Sequence, residues 1–430
     1  MAIKLTKEEV QKTTKDPLAL FRSGIKSKVT FVKYERKLKI FLCHTLEEHL
    51  TGNPILREEQ RKKRLTTGNK NEIEDFLDAD FEDRVREFVD KARKEPAWTE
   101  DVLLAYSAKL KERTQLPEED ADYLNPQSFS NYFKAQKKLF KMNGIHFVWD
   151  RINSTFPELD NNNETRGYER DEIKEILNFA NPMEKAIVLI AASSGMRRGG
   201  FAFTWDCIVP IYRRNEDLIM GRFDDEDDSD LVCGMITVYK KSSEQYFAFF
   251  TPEAWKAIRI YKQKWLDDIT HNPKDKDFFM KKAGPFVESL STDAVANRLS
   301  KVLKRANIRD ILTHGKRRHT VPVLNGFRRF FNKINKETLS KDSPLAALIK
   351  KEMMLSHTGL IKLDKNYFKT HWKELVEEYL QAVPSLTISN EERQKITITR
   401  LRKEKSELEE KTNRIDDLER RLRIMEKTKT

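Results

Sequence analysis

The stretch "LSHTGLIKLDKNYFK", residues 355–369, sets His357 ten positions before Tyr367, which stands between Asn366 and Phe368. Alone the pair means little, because a tyrosine on a helix is ordinarily a half-buried packing residue. It acquires chemical meaning only through residues elsewhere in the chain.

At 430 residues the chain is too long for one ordinary core and long enough for two or three domains. Lys and Arg number 81 against 69 acidic residues, a net charge of +12, which favours a polyanionic partner, nucleic acid ahead of a membrane surface. Eleven Lys or Arg and only two acidic residues fall between Lys301 and Ser340, so most of the excess forms a patch. The three cysteines, Cys43, Cys207 and Cys233, are far apart and form no CxxC pair. That spacing disfavours a disulfide framework or a zinc site, and a reducing cytoplasm is expected. "MAIKLTKEEVQKTTKDPLAL" lacks the apolar core of a secretory signal, and the longest apolar run is Ala186 to Ala192, so neither export nor membrane spanning is expected.

From Asp16 to about Pro157 the pattern is helical. Phe31, Tyr34, Leu38, Phe41 and Leu42 recur at helical spacing, as do Phe129, Tyr132, Phe133, Leu139 and Phe140 before Gly144. Lysines interleaved with these aromatics fit either nucleic-acid contact or an amphipathic helix packing its rings inward. "FPELDNNNETRGYERDE" reads as a linker, which puts a domain boundary near residue 165 and a helix start at Asp171. "MEKAIVLIAASSG" predicts a buried helix ended by Gly195. "MITVYKKSSEQYFAFF" alternates apolar and polar positions about a polar turn and predicts a β-hairpin. "DDEDDSD", residues 224–230, carries six acidic residues in seven and is expected to be a solvated loop facing away from DNA. From Asn390 onward the chain is charged and free of Gly and Pro, with Leu401, Leu408, Ile415 and Leu422 spaced by seven but Glu404 and Lys411 in the alternate positions. That half-satisfied heptad predicts a helix, paired or solitary.

Cutting a phosphodiester without a metal requires a nucleophile, cationic donors on the non-bridging oxygens and an acid for the leaving oxygen. Arginine suits the second task because its planar, permanently charged fork donates two hydrogen bonds to phosphate. Lysine can give up a proton. Tyrosine can attack phosphorus and store the bond energy in a phosphoester, provided nearby cations stabilise the phenolate. The chain carries Arg197 in "SSGMRRGG", Lys241 in the predicted hairpin turn, Arg328 in "NGFRRFF", then His357 and Tyr367, at separations of 44, 87, 29 and 10 residues.

In these boxes the sequence resembles the tyrosine recombinases, or phage integrase family, most closely archaeal members: "SGMR", a lysine on a hairpin, "GFR", "LSHTG" and a tyrosine about ten residues on. The helical first half resembles that family's core DNA-binding domain, and "VEEYLQAVPSLTIS" the segment after the nucleophile. The resemblance implies a mainly α fold with a small β-sheet (α+β). It implies a helical DNA-binding domain over 1–165 and a catalytic domain over 166–380, with a charged C-terminal helix, a possible coiled coil, over 381–430. By the same resemblance Arg197 and Arg328 hold the scissile phosphate, Lys241 protonates the leaving 5′ oxygen, His357 assists at the phosphate and Tyr367 forms a 3′-phosphotyrosyl link. It implies double-stranded DNA as partner, no cofactor or metal, and a tetramer on two DNA sites.

Where the family usually has a histidine three positions before the second arginine, this chain has Asn325, which can donate a hydrogen bond but cannot shuttle a proton. The acidic residue common three positions after the first arginine is Gly200. Each box carries a doublet, and Arg197, Arg328 and Lys241 are preferred to Arg198, Arg329 and Lys240, with Lys240 expected at the strand end and Lys241 inside the turn. Lys316, Arg317, Arg318 and Arg329 suit the DNA backbone, while His314 and His319 read as exposed loop residues. Two rival readings share these letters: a decayed, binding-only integrase and a type IB topoisomerase.

Overall fold

In a computed structural model, the structure describes residues 6, 16–46, 48–50, 81–158, 165–225, 227–268, 280–283, 286–309, 319–341, 343–357 and 371–427. The chain divides into two compact units, the first built on Met1–Asn163 and the second on Glu164–Leu312 and Arg318–Thr430.

The first unit is helical: α1 (Pro17–Ser23), α2 (Lys28–Ile40), α3 (Phe81–Lys94), α4 (Pro96–Thr114), α5 (Lys134–Met142) and α6 (Trp149–Asn153). Capping side chains start the first two, since Asp16 and Ser27 accept from the backbone amides of Leu18 and Thr30. The interleaved aromatics turn inward. Phe129, Phe133 and Phe140 are buried, and Phe133 packs near Tyr106 and Phe156 with centroids 5.4 and 5.0 Å apart. The interleaved lysines lie over the rims of this cluster, Lys37 at 4.9 Å from the Tyr132 ring and Lys137 at 4.6 Å from that of Trp149. Apolar burial therefore accounts for the pattern.

The second unit opens with α7 (Arg170–Asn178) and α8 (Pro182–Ser194), each begun by a reciprocal capping box, Glu169 with Glu172 and Asn181 with Glu184. Helix α8 is buried along most of its length and ends at Gly195, whose left-handed φ of 59° is one glycine adopts freely. A side chain there would also collide with Phe331, because a Cβ would lie 2.4 Å from its ring.

Four antiparallel strands, β1 (Ile208–Arg214), β2 (Asp217–Met220), β3 (Leu231–Val238) and β4 (Tyr246–Phe250), form a sheet in the order β2-β1-β3-β4. The β3–β4 pair is the predicted hairpin, in register from Gly234 with Phe250 to Val238 with Tyr246. Strands β1 and β2 and the separate pair β5 (Met280–Ala283) and β6 (Phe286–Ser289) were not anticipated. Pro210 argues against a central strand, yet it is tolerated in β1 because the β1–β2 ladder stops at Ile211 and needs no amide beyond it.

The acidic run is not the purely solvated loop expected. Asp228 accepts from the Trp255 indole at 3.1 Å and from Arg259 at 2.9 Å, and Asp224 pairs with Lys262 at 2.7 Å, so the run is pinned to α9 (Pro252–Asp268).

Helices α10 (Thr292–Arg305), α11 (Val323–Glu337), α12 (Pro344–Met354), α13 (Trp372–Leu380) and the short α14 (Val383–Leu386) complete this core. The buried Tyr379 hydroxyl of α13 donates to the Ser193 carbonyl of α8 at 2.9 Å. The last helix, α15 (Asn390–Lys427), presents Leu401, Leu408, Ile415 and Leu418 exposed. Among the described residues no helix is long and apolar enough to cross a membrane.

Candidate active site

Three separate elements bring two arginines and a histidine to one place: the end of α8, the first turns of α11 and the end of α12. Arg328 of α11 is the centre. Its Nη1 donates to the Gly195 carbonyl at 2.6 Å and its Nη2 to the Leu355 carbonyl at 2.6 Å, while Nη2 also lies 2.8 Å from His357 Nε2. Arg197 donates through Nη1 to the Ser356 carbonyl at 3.3 Å. Both arginines therefore grip the turn that carries His357. The second arginine of each doublet points to other partners: Arg198 pairs with Asp293, and Arg329 donates to the Thr165 carbonyl.

That turn has a defined geometry. Helix α12 ends with the Ser356 amide donating to the Met353 carbonyl at 2.9 Å and the His357 amide to that of Glu352 at 2.9 Å, the bonding of a Schellman motif. Its left-handed position is filled by Ser356 at φ 55°, where glycine is usual and another residue is strained by about 1 kcal/mol. The reversal folds the imidazole back over the helix, so His357 Nδ1 comes within 2.5 Å of Glu352 Oε2.

The proton positions follow. Arginine only donates, so His357 Nε2 must accept from Arg328 and be unprotonated; Nδ1 carries the hydrogen and gives it to Glu352. Glu352 also lies 3.5 Å from Lys336. No sequence signal marks Glu352, because its tie to His357 depends on how the helix ends.

Burial, and after it the repulsion of Arg197, pull the Arg328 pKa down to about 10, still protonated at neutral pH. Two tyrosines share this surrounding. Tyr246 of β4 has its hydroxyl buried without a hydrogen-bond partner among the described residues, and burial pushes its pKa up to about 12 against the pull of Arg328 and Arg197. Burial likewise raises Tyr239, whose ring centroid is 6.1 Å from that of Tyr246. A Cβ on Gly200 would stand 3.7 Å from the Tyr246 hydroxyl, so a phenol from the sheet lies beside the position at which the resemblance expected a carboxylate.

The lysine doublet differs from the expectation in one respect. Strand β3 stops at Val238, so Lys240 lies in the turn together with Lys241 and not at the strand end. Lys240 is paired with Asp206 at 2.7 Å, which holds that carboxyl below its usual range. Lys241 takes a left-handed φ of 67°, its amide donating to Gln245 Oε1 at 2.8 Å, and its exposed ammonium has no partner among the described residues. Asn325 is exposed one turn before Arg328 on α11. His319, expected in an exposed loop, is half-buried. Tyr367, Lys316, Arg317, Arg318 and His314 lie outside the described residues.

No family model and no curated protein matches the chain. Among solved structures it is similar to an XerA recombinase at 14% identity, covering 74% of this chain and 97% of that one with a TM-score of 0.32. It is similar to the XerH site-specific recombinase bound to a palindromic difH substrate in a post-cleavage complex, at 13% identity over 85% and 96% of the two chains with a TM-score of 0.41. A third is the Tn1549 transposon integrase in complex with transposon right end DNA, at 11% identity over 75% and 96% with a TM-score of 0.38. These likenesses are distant, and the chemistry of the site is read from its own residues.

Proposed function

We propose that this chain is a site-specific DNA recombinase or integrase of the tyrosine recombinase family, close to its archaeal members, that cuts and rejoins DNA through a 3′-phosphotyrosyl intermediate on Tyr367. The observation that carries this reading is the 2.8 Å approach of Arg328 to His357, with Arg197 bonded one residue away to Ser356. Residues up to 160 positions apart in sequence meet there, which supports the reading.

In this reading Arg197 and Arg328 stabilise the charge that grows on the non-bridging oxygens, and such preorganised electrostatic stabilisation usually lowers the barrier more than any other single effect. The Tyr367 oxygen attacks phosphorus and releases its proton to solvent; the bond to the 5′ oxygen breaks, and Lys241 supplies the proton that oxygen takes. His357, its ring fixed by Glu352, assists at the phosphate by accepting from Arg328 and so orienting that guanidinium, and Asn325 adds a neutral donor. Lys316, Arg317, Arg318 and Arg329 contact the backbone. Residues 1–165 serve as the helical DNA-binding domain, 166–380 as the catalytic domain and 381–430 as an extension that touches a neighbour. The acting species is a tetramer on two double-stranded sites.

The test uses nicked suicide duplexes made from the DNA that flanks the gene. The wild-type protein is expected to become covalently attached to a 3′ end and Tyr367→Phe not. An adduct that persists in Tyr367→Phe removes the assignment. Binding without attachment by the wild type supports the decayed integrase, and relaxation of a plasmid carrying no flank sequence supports the topoisomerase.

A further inference from the structure

A second arginine pair lies outside that site, at the root of α15. A groove of about 640 Å³ there is lined by Arg170 of α7, Ser385 of α14, and Asn390, Arg393, Gln394 and Thr397 of α15, with no acidic residue in its wall. Arg170 uses one Nη to donate to the Ser385 carbonyl, and Arg393 uses one on Asn390 Oδ1 at 2.7 Å. The Nε of each is buried with no partner among the described residues. Of ten guanidinium N–H donors, eight have no acceptor among the described residues.

The acids nearby are committed elsewhere. Glu391 pairs with Lys395 at 2.8 Å, Glu392 pairs with Lys256 at 3.0 Å, and Glu169 caps α7. Asp171 and Glu169 attract Arg170 from outside the groove wall, but burial and the like charge of Arg393 outweigh them and lower the Arg170 pKa. Two guanidinium groups lining one groove, with no carboxylate among its described lining residues, suit an anion.

We propose that this groove binds a phosphate group, clamped between Arg170 and Arg393, with Asn390 and Gln394 offering neutral donors. Phosphate is favoured over a single carboxylate because two planar forks present two positive charges and several donors, and a phosphate monoester brings up to two negative charges and three acceptor oxygens. Its source is either a phosphorylated small molecule or the backbone of a nucleic acid. This proposal is independent of the strand-cleavage reading.

Pyrophosphate titrated into the full chain by calorimetry is the test, with a short duplex of arbitrary sequence as the second ligand. Pyrophosphate is expected to bind and to raise the melting temperature, and Arg170→Gln and Arg393→Gln are each expected to weaken it about ten-fold, the loss of one charge-assisted contact. If the same substitutions weaken the duplex and pyrophosphate competes with it, the phosphate belongs to a nucleic acid; if duplex affinity is unchanged, it belongs to a small molecule. Arg393→Lys keeps the charge without the fork and serves if a glutamine variant fails to fold; it is expected to bind more weakly than wild type. No heat with pyrophosphate, or equal affinity in wild type and every arginine variant that folds, overturns the proposal.

Discussion

Glu352 and His357 meet at 2.5 Å across the last turn of α12, carboxylate to Nδ1, while Arg328 occupies Nε2 from the other side at 2.8 Å. An obligate donor on one ring nitrogen and an acceptor on the other leave a single tautomer. Nitrogen NMR of His357 is expected to report the proton on Nδ1. Glu352→Ala should release the ring, mix the tautomers and slow covalent attachment to DNA on the order of ten-fold, the worth of one charged hydrogen bond. Glu352→Gln keeps an acceptor oxygen and is expected to retain both tautomer and most activity. An unchanged tautomer in Glu352→Ala would show that the bond from Arg328 alone sets the ring.

The lysine doublet divides by partner. Lys240 is engaged with Asp206 and Lys241 has no partner among the described residues, so Lys241→Ala is expected to slow cleavage about 100-fold, the usual range for loss of a general acid. A substrate with sulfur at the bridging 5′ position should restore the rate, because a thiol with a pKa near 8.5 leaves without a proton. Lys240→Ala removes an exposed ion pair, lowers stability by less than about 1 kcal/mol and should show no sulfur rescue. Rescue of Lys240→Ala in place of Lys241→Ala would reverse the assignment.

Lys351 and Glu378 form a buried ion pair at 3.5 Å between α12 and α13, the helices on either side of residues 358–370. The Lys351 ammonium also donates to Thr338 Oγ1 at 3.2 Å and to the Asn335 carbonyl. Removing one partner strands the other in a dry site, so Lys351→Ala is expected to cost about 3–5 kcal/mol in denaturant unfolding. Replacing both residues with apolar side chains should recover most of that. A loss below about 1 kcal/mol in Lys351→Ala would mean that water reaches the pair.

Arg166 grips both oxygens of Glu172 at 2.6 and 2.7 Å, and this bond chiefly holds the carboxyl below its usual 4.5. A depressed folded pKa contributes stability that is present above the unfolded value and lost as pH falls through the folded one. Glu172→Gln is thus expected to be less stable than wild type at neutral pH by about 0.5–1 kcal/mol, with the difference closing as pH drops below 4.5. Thermal unfolding at neutral and acid pH measures it, and a gap that widens in acid contradicts the assigned cause.

Local chemistry makes much of this chain legible in its letters. An apolar run closed by Gly195 reads as a buried helix because burial and a left-handed cap each leave a mark on consecutive residues, and the β3–β4 hairpin shows through the alternation of its two strands. Arg197, Lys241, Arg328, His357 and Tyr367 are nameable because phosphate chemistry restricts residue type and because their order resembles one family. Strand β1 escapes notice because Pro210 argues against a central strand, and only the short reach of β2 excuses it.

What tertiary structure alone decided are matters of distance between remote residues. Sequence alternation favours Lys241 over Lys240 but says nothing of their partners; that Lys240 is paired depends on Asp206, more than thirty positions away, reaching across to its ammonium. Glu352, Tyr246 and the Arg170–Arg393 groove left no pattern, since nothing in a string of residues records which carboxylate a helix reversal will carry to a histidine, or which two arginines will line one groove. Residue type sets what each side chain can do; packing sets which neighbours it meets, and a site is made of those meetings.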